Sequence, residues 1–260
     1  VKAFRLLKSD DEAAGLVTAG STGATIAGGQ LLLGRIRGIK RPALCPAIPN
    51  IRGSYTLLCD CGANAECKPS MLCQFAVLAS AYAEAAFGIK NAKVGLLNNG
   101  TEEHKGDPLH QQTYQLLKRM DVINFGGNIE GRDIMIGDCD VAVCDGFSGN
   151  IALKSIEGCA KLILAVLKKE ATSSLSSKIG SLFLMKGFRN MRERLDFEAV
   201  GGALLLGVKK VVVKSHGSSK AKTITAAVQN AAAIYRGDLI GRVERKLAAV
   251  DWANLISDEE

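Results

Sequence analysis

The chain repeatedly breaks an apolar, β-rich run with a loop of small polar residues. GLVTA (15–19) stops in GSTG (20–23), YTLLCDC (55–61) in GANAECKP, and VGLLN (94–98) in NGTEEHKGDP. DVINF (121–125) stops in GGNIEGRD, DVAVC (140–144) in DGFSGN, and VVVK in SHGSS. Helical stretches follow most of them: ATIAGGQLLLGRI, SMLCQFAVLASAYAEAAF, HQQTYQLLKRM, IALKSIEGCAKLILAVLKKE and KAKTITAAVQNAAAIY. Continuous β-rich runs alternating with helices predict an α/β fold with a mainly parallel sheet covered on both faces. Ligands of such sheets bind beyond the carboxyl ends of the strands. All these loops are therefore expected along one edge of a single sheet.

Composition agrees. The chain has 260 residues, 47% of them hydrophobic, with 28 glycines and only 5% aromatics. Small residues and few rings suit close helix–sheet packing. No uninterrupted apolar run approaches the roughly 18–20 residues of a membrane span, and no signal peptide opens the sequence. The eight cysteines include CDCGANAECKPSMLC, spaced C-x-C-x5-C-x5-C. Structural zinc sites use paired C-x2-C, so buried free thiols are expected, and no metal. The net charge of +7 suits an acidic partner, anionic lipid or a phosphate ligand. Without interleaved stacking aromatics it does not suit nucleic acid.

The loops carry the chemistry. Glycine lets backbone N–H groups turn towards a ligand, and helix N-termini add partial positive charge. An edge built this way suits an anion, above all phosphate. Each Ser, Asn or Asp has an ordinary alternative as a helix N-cap. Caps, however, do not require Lys105, Lys154 or His216. A full G-x-G-x-x-G, a Walker Lys-Ser/Thr and a G-x-S-x-G elbow are all missing, which argues against dinucleotide, nucleoside triphosphate and serine-hydrolase chemistry.

TAGSTGA, RPAL, DCGANAECKP, VGLLNNGTEEHKG, NFGGNIEGRDI, VAVCDGFSGN with LKSIEG, GGALLLG and KSHGSS, in this order and across nearly the whole chain, resemble the bacterial phosphate acyltransferases of phospholipid synthesis. The resemblance implies a dimeric three-layer α/β/α fold similar to isocitrate/isopropylmalate dehydrogenase and phosphotransacetylase. Thr18 and Ser21 stand where that family often has Ser and Asn. Its chains normally open with a further strand and a DAMGGD-like loop. Residues 1–260 are therefore expected to form one catalytic domain lacking that N-terminal segment.

The implied reaction moves a fatty acyl group from acyl carrier protein to inorganic phosphate. The acyl phosphate would feed a membrane-bound glycerol-3-phosphate acyltransferase. Phosphate is its own nucleophile and a thiolate is a fair leaving group, so neither triad, metal nor cofactor is needed. The protein must position the reactants and stabilise an oxyanion. Lys105 is the expected phosphate or oxyanion cation, Asn150 the amide donor to the thioester oxygen, and His216 the acid for the thiolate or a phosphate ligand. Ser21, Thr22, Gly23, Ser218 and Ser219 are expected phosphate donors. Asp60, Asn64, Glu102, Asp145 and Lys154 are weaker candidates, some of them structural.

Residues 171–195, ATSSLSSKIGSLFLMKGFRNMRERL, are basic and amphipathic and are expected to project from the domain. They could pack in a dimer interface or lie on an anionic membrane, with Leu182 and Phe183 in the acyl region and Lys186 and Arg189 at the headgroups. The resemblance favours the membrane, hence a cytoplasmic, peripherally attached homodimer. Rival readings are an acyl-CoA phosphotransacetylase, a non-catalytic membrane or carrier-protein scaffold, and a decarboxylating dehydrogenase. The last would need acidic metal ligands not evident here.

Overall fold

The computed structural model describes residues 1–197 and 199–256. The elements run α1 (Lys2–Ser9), β1 (Gly15–Thr18), α2 (Thr22–Gly28, continued by a π-helical turn over Gly29–Leu33), β2 (Ala43–Cys45), β3 (Ala47–Pro49), β4 (Tyr55–Cys59), α3 (Pro69–Phe87) and β5 (Lys93–Leu97). They continue as α4 (Pro108–Lys118), β6 (Asn124–Ile129), α5 (Gly131–Ile136), β7 (Val141–Val143), α6 (Gly146–Ala171), α7 (Leu175–Arg194), β8 (Ala203–Leu206), β9 (Val211–Lys214), α8 (Ala221–Arg236), α9 (Leu239–Ala248) and α10 (Trp252–Leu255).

The strands form two sheets, where the sequence suggested one. The first has the order β1-β9-β8-β2, the second β3-β4-β7-β5-β6. β1 and β9 pair in parallel, as do β4, β7, β5 and β6 in succession. β2, β3 and β8 enter antiparallel. These three strands escape a sequence reading because none of them leads through a polar loop into a helix, as each parallel strand does. β2 and β3 are also one stretch interrupted by Pro46, which has no N–H to give a ladder. That stretch passes from the first sheet to the second: β2 pairs with β8, and the Pro46 carbonyl accepts from Leu58 N–H at 3.1 Å.

Alternation along each strand builds three layers. Val211 and Val213, Leu204 and Leu206, Leu57 and Cys59, and Val141 and Val143 all face one core cluster around α3. Between them, Val212 and Leu205 face Phe4, Leu7 and Leu33, while Leu58 and Ala142 face Ile134 and Ile156. A strand with apolar residues on both faces must be covered on both. The α3 cluster spans both sheets. α3 is long and apolar enough to cross a membrane by length and composition, despite the polar residues that break its apolar run. Its apolarity is explained by packing, for most of it is buried among β4, β5, β7, α4, α8 and α9.

One strand is displaced from its expected place. β6 takes in both glycines of FGGN, because the ladder to β5 shifts between Val94 and Leu96. Gly127 sits at φ +93° in that irregularity, a conformation glycine adopts without Cβ strain.

Candidate active site

α6 begins against the loop that follows β4. The Asp145 carboxylate caps it, accepting from the N–H groups of Phe147 and Ser148 at 2.9 Å each. Asp145 is thus the cap, and Asn150 lies in the helix one turn further on. Gly149 is obligatory by space: a Cβ there would lie 2.0 Å from the Asp60 carbonyl oxygen and 2.7 Å from Cys144 Sγ. The Gly146 N–H donates to the Asn64 carbonyl at 2.7 Å.

The loop after β4 is organised by Asp60, which is fully buried. Its carboxylate accepts from Leu44 N–H (2.8 Å), Ala63 N–H (3.1 Å), Asn64 N–H (2.7 Å) and Asn64 Nδ2 (3.0 Å). Burial pushes its pKa up, against the pull of those hydrogen bonds. Asn64 also donates Nδ2 to the Pro42 carbonyl at 2.8 Å. Its amide is therefore engaged with protein. Between these two residues, Gly62 stands at φ +97° against the Asn150 side chain, with 3.6 Å from its Cβ position to Asn150 Cγ. The buried carboxylate thus holds the floor beneath the exposed Asn150 amide.

Lys154 lies one turn beyond Asn150, on the same side of α6. Its Nζ is 3.0 Å from Glu157. From the first sheet, Lys214 ends β9. Burial and then the charge of Lys154 hold its ammonium below the ordinary lysine pKa. Two residues on, His216 Nδ1 accepts from Ser218 N–H at 3.2 Å and lies 2.7 Å from Ser218 Oγ. A backbone N–H can only donate, so in the neutral ring the proton sits on Nε2. Ser219 Oγ is buried with no hydrogen-bond partner among the described residues. The helix that follows, α8, has no side-chain cap.

The Ser21 loop runs beside this one: Ser215 N–H donates to the Thr18 carbonyl at 2.8 Å. Ser21 caps α2 through Ala24 N–H at 3.3 Å. Thr22 and Gly23 form the first turn, and Gly23 has open space around it.

Lys105 and Glu102 occupy the loop after β5. Among the described residues, no hydrogen bond or ion pair joins either to Asn150 or His216. The loop is pinned by its backbone: Asn98 Nδ2 donates to the Lys105 carbonyl (3.1 Å) and Asn128 Nδ2 to the Glu102 carbonyl (2.7 Å). Asn128 is buried, and its Oδ1 has no partner among the described residues. Sequence reasoning passed over both Asn128 and Lys214. A polar residue inside GGNI and a lysine closing VVV were the available signals.

The eight cysteines are free thiols, and six are buried. Burial pushes Cys45, Cys59, Cys61 and Cys144 above the ordinary thiol range, and Cys67 to about 12. None of these five is a ready nucleophile at neutral pH. Two open clefts lie elsewhere, one of about 590 Å³ by His104 and Gln112 and one of about 330 Å³ by Asn50 and Arg194. Neither is lined by Lys105, Asn150 or His216. Convergent polar groups at strand ends are the better guide to chemistry than these clefts.

Comparison with known proteins agrees with the fold. A phosphotransacetylase from Streptococcus pyogenes superposes with a TM-score of 0.52 at 19% identity, over 94% of this chain and 66% of that one. A branched-chain phosphotransacylase from Enterococcus faecalis gives 0.54 at 15% identity, over 90% of this chain and 77% of the other. In sequence, a phosphate acyltransferase from Clostridium perfringens is 44% identical over 98% of this chain and 74% of its own length. One from Clostridioides difficile is 40% identical over all of this chain and 76% of its own. The model of the family described as fatty acid synthesis protein matches residues 2–242. On these matches, the chain belongs to the fatty acid synthesis protein family, in company with relatives named phosphate acyltransferases.

Proposed function

We propose that this chain transfers a fatty acyl group from acyl carrier protein to inorganic phosphate. The observation that carries the reading is the exposed Asn150 amide in the second turn of α6, set against Gly62 of the loop that the buried Asp60 organises, with Lys154 one turn further on. An amide and an ammonium donor stand there beyond the carboxyl ends of the parallel strands β4 and β7. A phosphate oxygen attacks the thioester carbonyl carbon. A C–O bond forms and the carbonyl oxygen becomes an oxyanion. Asn150 Nδ2 donates to that oxyanion, and Lys154 neutralises the phosphate. The intermediate collapses with cleavage of C–S. The thiolate takes a proton, for which His216 Nε2–H is the available donor. Lys105 approaches from the neighbouring strand end as a further cation. No protein nucleophile is required, which fits thiols held protonated by burial.

The proposal extends to where the enzyme works. Beyond Ala160, no described residue of α6 is buried, and none of α7 is. The hairpin exposes Leu162, Leu175, Ile179, Leu182, Phe183 and Met185, with Phe183 85% exposed. Lys186 and Arg189 are exposed beside them. Apolar tips ringed by basic side chains fit an anionic cytoplasmic bilayer surface. There the acyl phosphate would pass to a membrane-bound acyltransferase. A second copy seated on the hairpin would make it a dimer interface instead.

The test is direct. Palmitoyl-carrier protein and phosphate are incubated with the enzyme and quenched with hydroxylamine. Palmitoyl hydroxamate that depends on both substrates is expected. Turnover of acetyl-CoA with none of the carrier-protein thioester would replace the carrier by coenzyme A.

A further inference from the structure

Residues 34–42, between the π-helical turn and β2, carry a dense set of cations. Arg35, Arg37 and Arg41 are exposed there, and Lys40 is half-buried among them. The exposed Lys209 lies over the start of the stretch, its Cδ and Cε 3.9 Å from the Cβ position of Gly34. Backbone bonds fix these charges in place. Ile36 N–H donates to the Gly207 carbonyl at 3.0 Å, Lys209 N–H to the Gly34 carbonyl at 3.1 Å, and Ile39 N–H to the Ile36 carbonyl at 3.1 Å. The Arg35 guanidinium donates to the Lys40 carbonyl. Among the described residues, the side chains of Arg37, Arg41 and Lys209 make no hydrogen bond or ion pair, and no carboxylate pairs with Arg35. Glu66, the exposed carboxylate of the adjoining site loop, pairs with none of them. A preformed surface of one sign raises a local positive potential that draws an acidic partner.

The patch is fastened to the candidate site. Pro42, next after Arg41, offers its carbonyl to Asn64 Nδ2 at 2.8 Å, and Lys40 Nζ donates to Ser70 Oγ at 2.7 Å in the first turn of α3. Asn64 belongs to the loop whose Gly62 stands against Asn150. The patch thus adjoins the Asn150 amide without occupying its place. A thioester on a long arm needs such a neighbour: the end of the arm reaches the amide while the body of its carrier rests alongside. We infer that Arg35, Arg37, Arg41 and Lys209 form the docking surface for an acidic face of the acyl carrier protein. This rests on the carrier-protein reading above and deepens it. Lipid is the poorer fit. Ile36 and Ile39 are buried beneath the charges, and within 31–42 Leu31 is the single exposed large apolar residue. A charged face with so little to insert suits a protein partner better than a bilayer.

Arg37→Glu with Arg41→Glu reverses two exposed charges of the patch, and Lys186→Glu with Arg189→Glu makes the same change in net charge on the hairpin. Both double variants should melt near the wild type. The first measurement is equilibrium binding of holo acyl carrier protein, read by fluorescence anisotropy without phosphate or acyl group. The patch variant should bind about 10-fold or more weakly and with a flatter dependence on salt. The hairpin variant, and Arg37→Lys with Arg41→Lys, should bind within about 2-fold of the wild type. The second measurement is steady-state transfer. In the patch variant the KM for palmitoyl-carrier protein should rise by about 10-fold or more, while kcat and the KM for phosphate stay within about 2-fold. Equal losses in the patch and hairpin variants would assign the effect to net charge and overturn the inference. Carrier binding intact in the patch variant would overturn it alone, leaving the carrier-protein reading in place. Release of that variant from phosphatidylglycerol vesicles would then give the patch to a bilayer, and a changed oligomeric state in light scattering would give it to a second copy. Should the double variant melt low, Arg37→Ala and Arg41→Ala take its place, each expected to weaken binding by about 3-fold, and unchanged binding in both would overturn the inference. A wild type that binds no carrier protein would overturn it together with the carrier-protein reading.

Discussion

Asp60 shows how one residue can be both a stability element and a part of the site. Its carboxylate ties β2 of one sheet to the loop that floors Asn150 in the other. Its pKa is raised, with burial the largest cause. A carboxyl whose folded pKa lies above its ordinary value of 3.8 gives most stability when protonated, and that part is lost as pH rises through the folded pKa. Wild-type stability relative to Asp60→Asn should therefore be greatest in acid and decline as pH rises above 3.8; urea titrations of both proteins across pH check this. A difference that grew with pH would mean that the hydrogen bonds outweigh burial. The residue was legible in DCGAN only as one acid among several. Its role depends on Leu44, 16 positions earlier, and no local pattern reports that pairing. Asp145 and Ser21 show the converse. Both stood as binding candidates, and the structure uses both side chains as helix caps. A capping side chain and a ligand-binding one look alike in sequence, since both present an oxygen before a helix.

At the level of elements, α6 does two jobs. Its first turns are seated on the Asp60–Asn64 loop with no room to spare. Gly149→Ala would drive a methyl group to 2.0 Å from a backbone oxygen. Overpacking of this kind costs about 1–3 kcal/mol or more, so a lower urea midpoint is expected, along with loss of activity. The far part of α6 and the whole of α7 leave the body of the protein. Leu182 and Phe183 are already exposed, so replacing both by Glu should change the melting temperature little. It should release the protein from anionic vesicles in sedimentation assays and leave transfer from soluble carrier protein near wild type. A parallel loss of activity and oligomeric state, read by light scattering, would mark the hairpin as an interface. The parallel strands could be read from sequence because runs such as VVV, YTLLC and VGLL are buried on both faces. The antiparallel β2, β3 and β8 could not: each is followed by another strand rather than by a loop and helix, and β2 and β3 meet at Pro46. That omission is why one expected sheet proved to be two.

The whole molecule is a pair of sheets sharing one stretch of chain and one buried helix, with polar loops beyond the strand ends. The overall chemistry was legible because several loops change from apolar to Gly, Ser, Asn and Lys at the same point in each repeat. Which loops actually meet was not legible, since that depends on how the two sheets are set against one another. Asn150 and Lys154 lie one turn apart on α6, whereas Lys105 sits on a separate loop held by Asn98 and Asn128. Lys105→Ala is thus expected to lower turnover by about 10²-fold, the scale of losing one preorganised donor. Asn128→Ala should lower it less, by loosening the Lys105 loop, and rates of the two folded variants measured side by side test that order. The central claim is that acyl carbon passes directly to phosphate at the Asn150 edge. Its sharpest test is the release of carrier-protein thiol with and without phosphate, followed by free-thiol titration in wild type and Asn150→Ala. Wild type should release thiol only when phosphate is present, in step with acyl phosphate formed, and Asn150→Ala should do so about 10²-fold more slowly. Thiol release independent of phosphate, or an undiminished rate in folded Asn150→Ala, would contradict it.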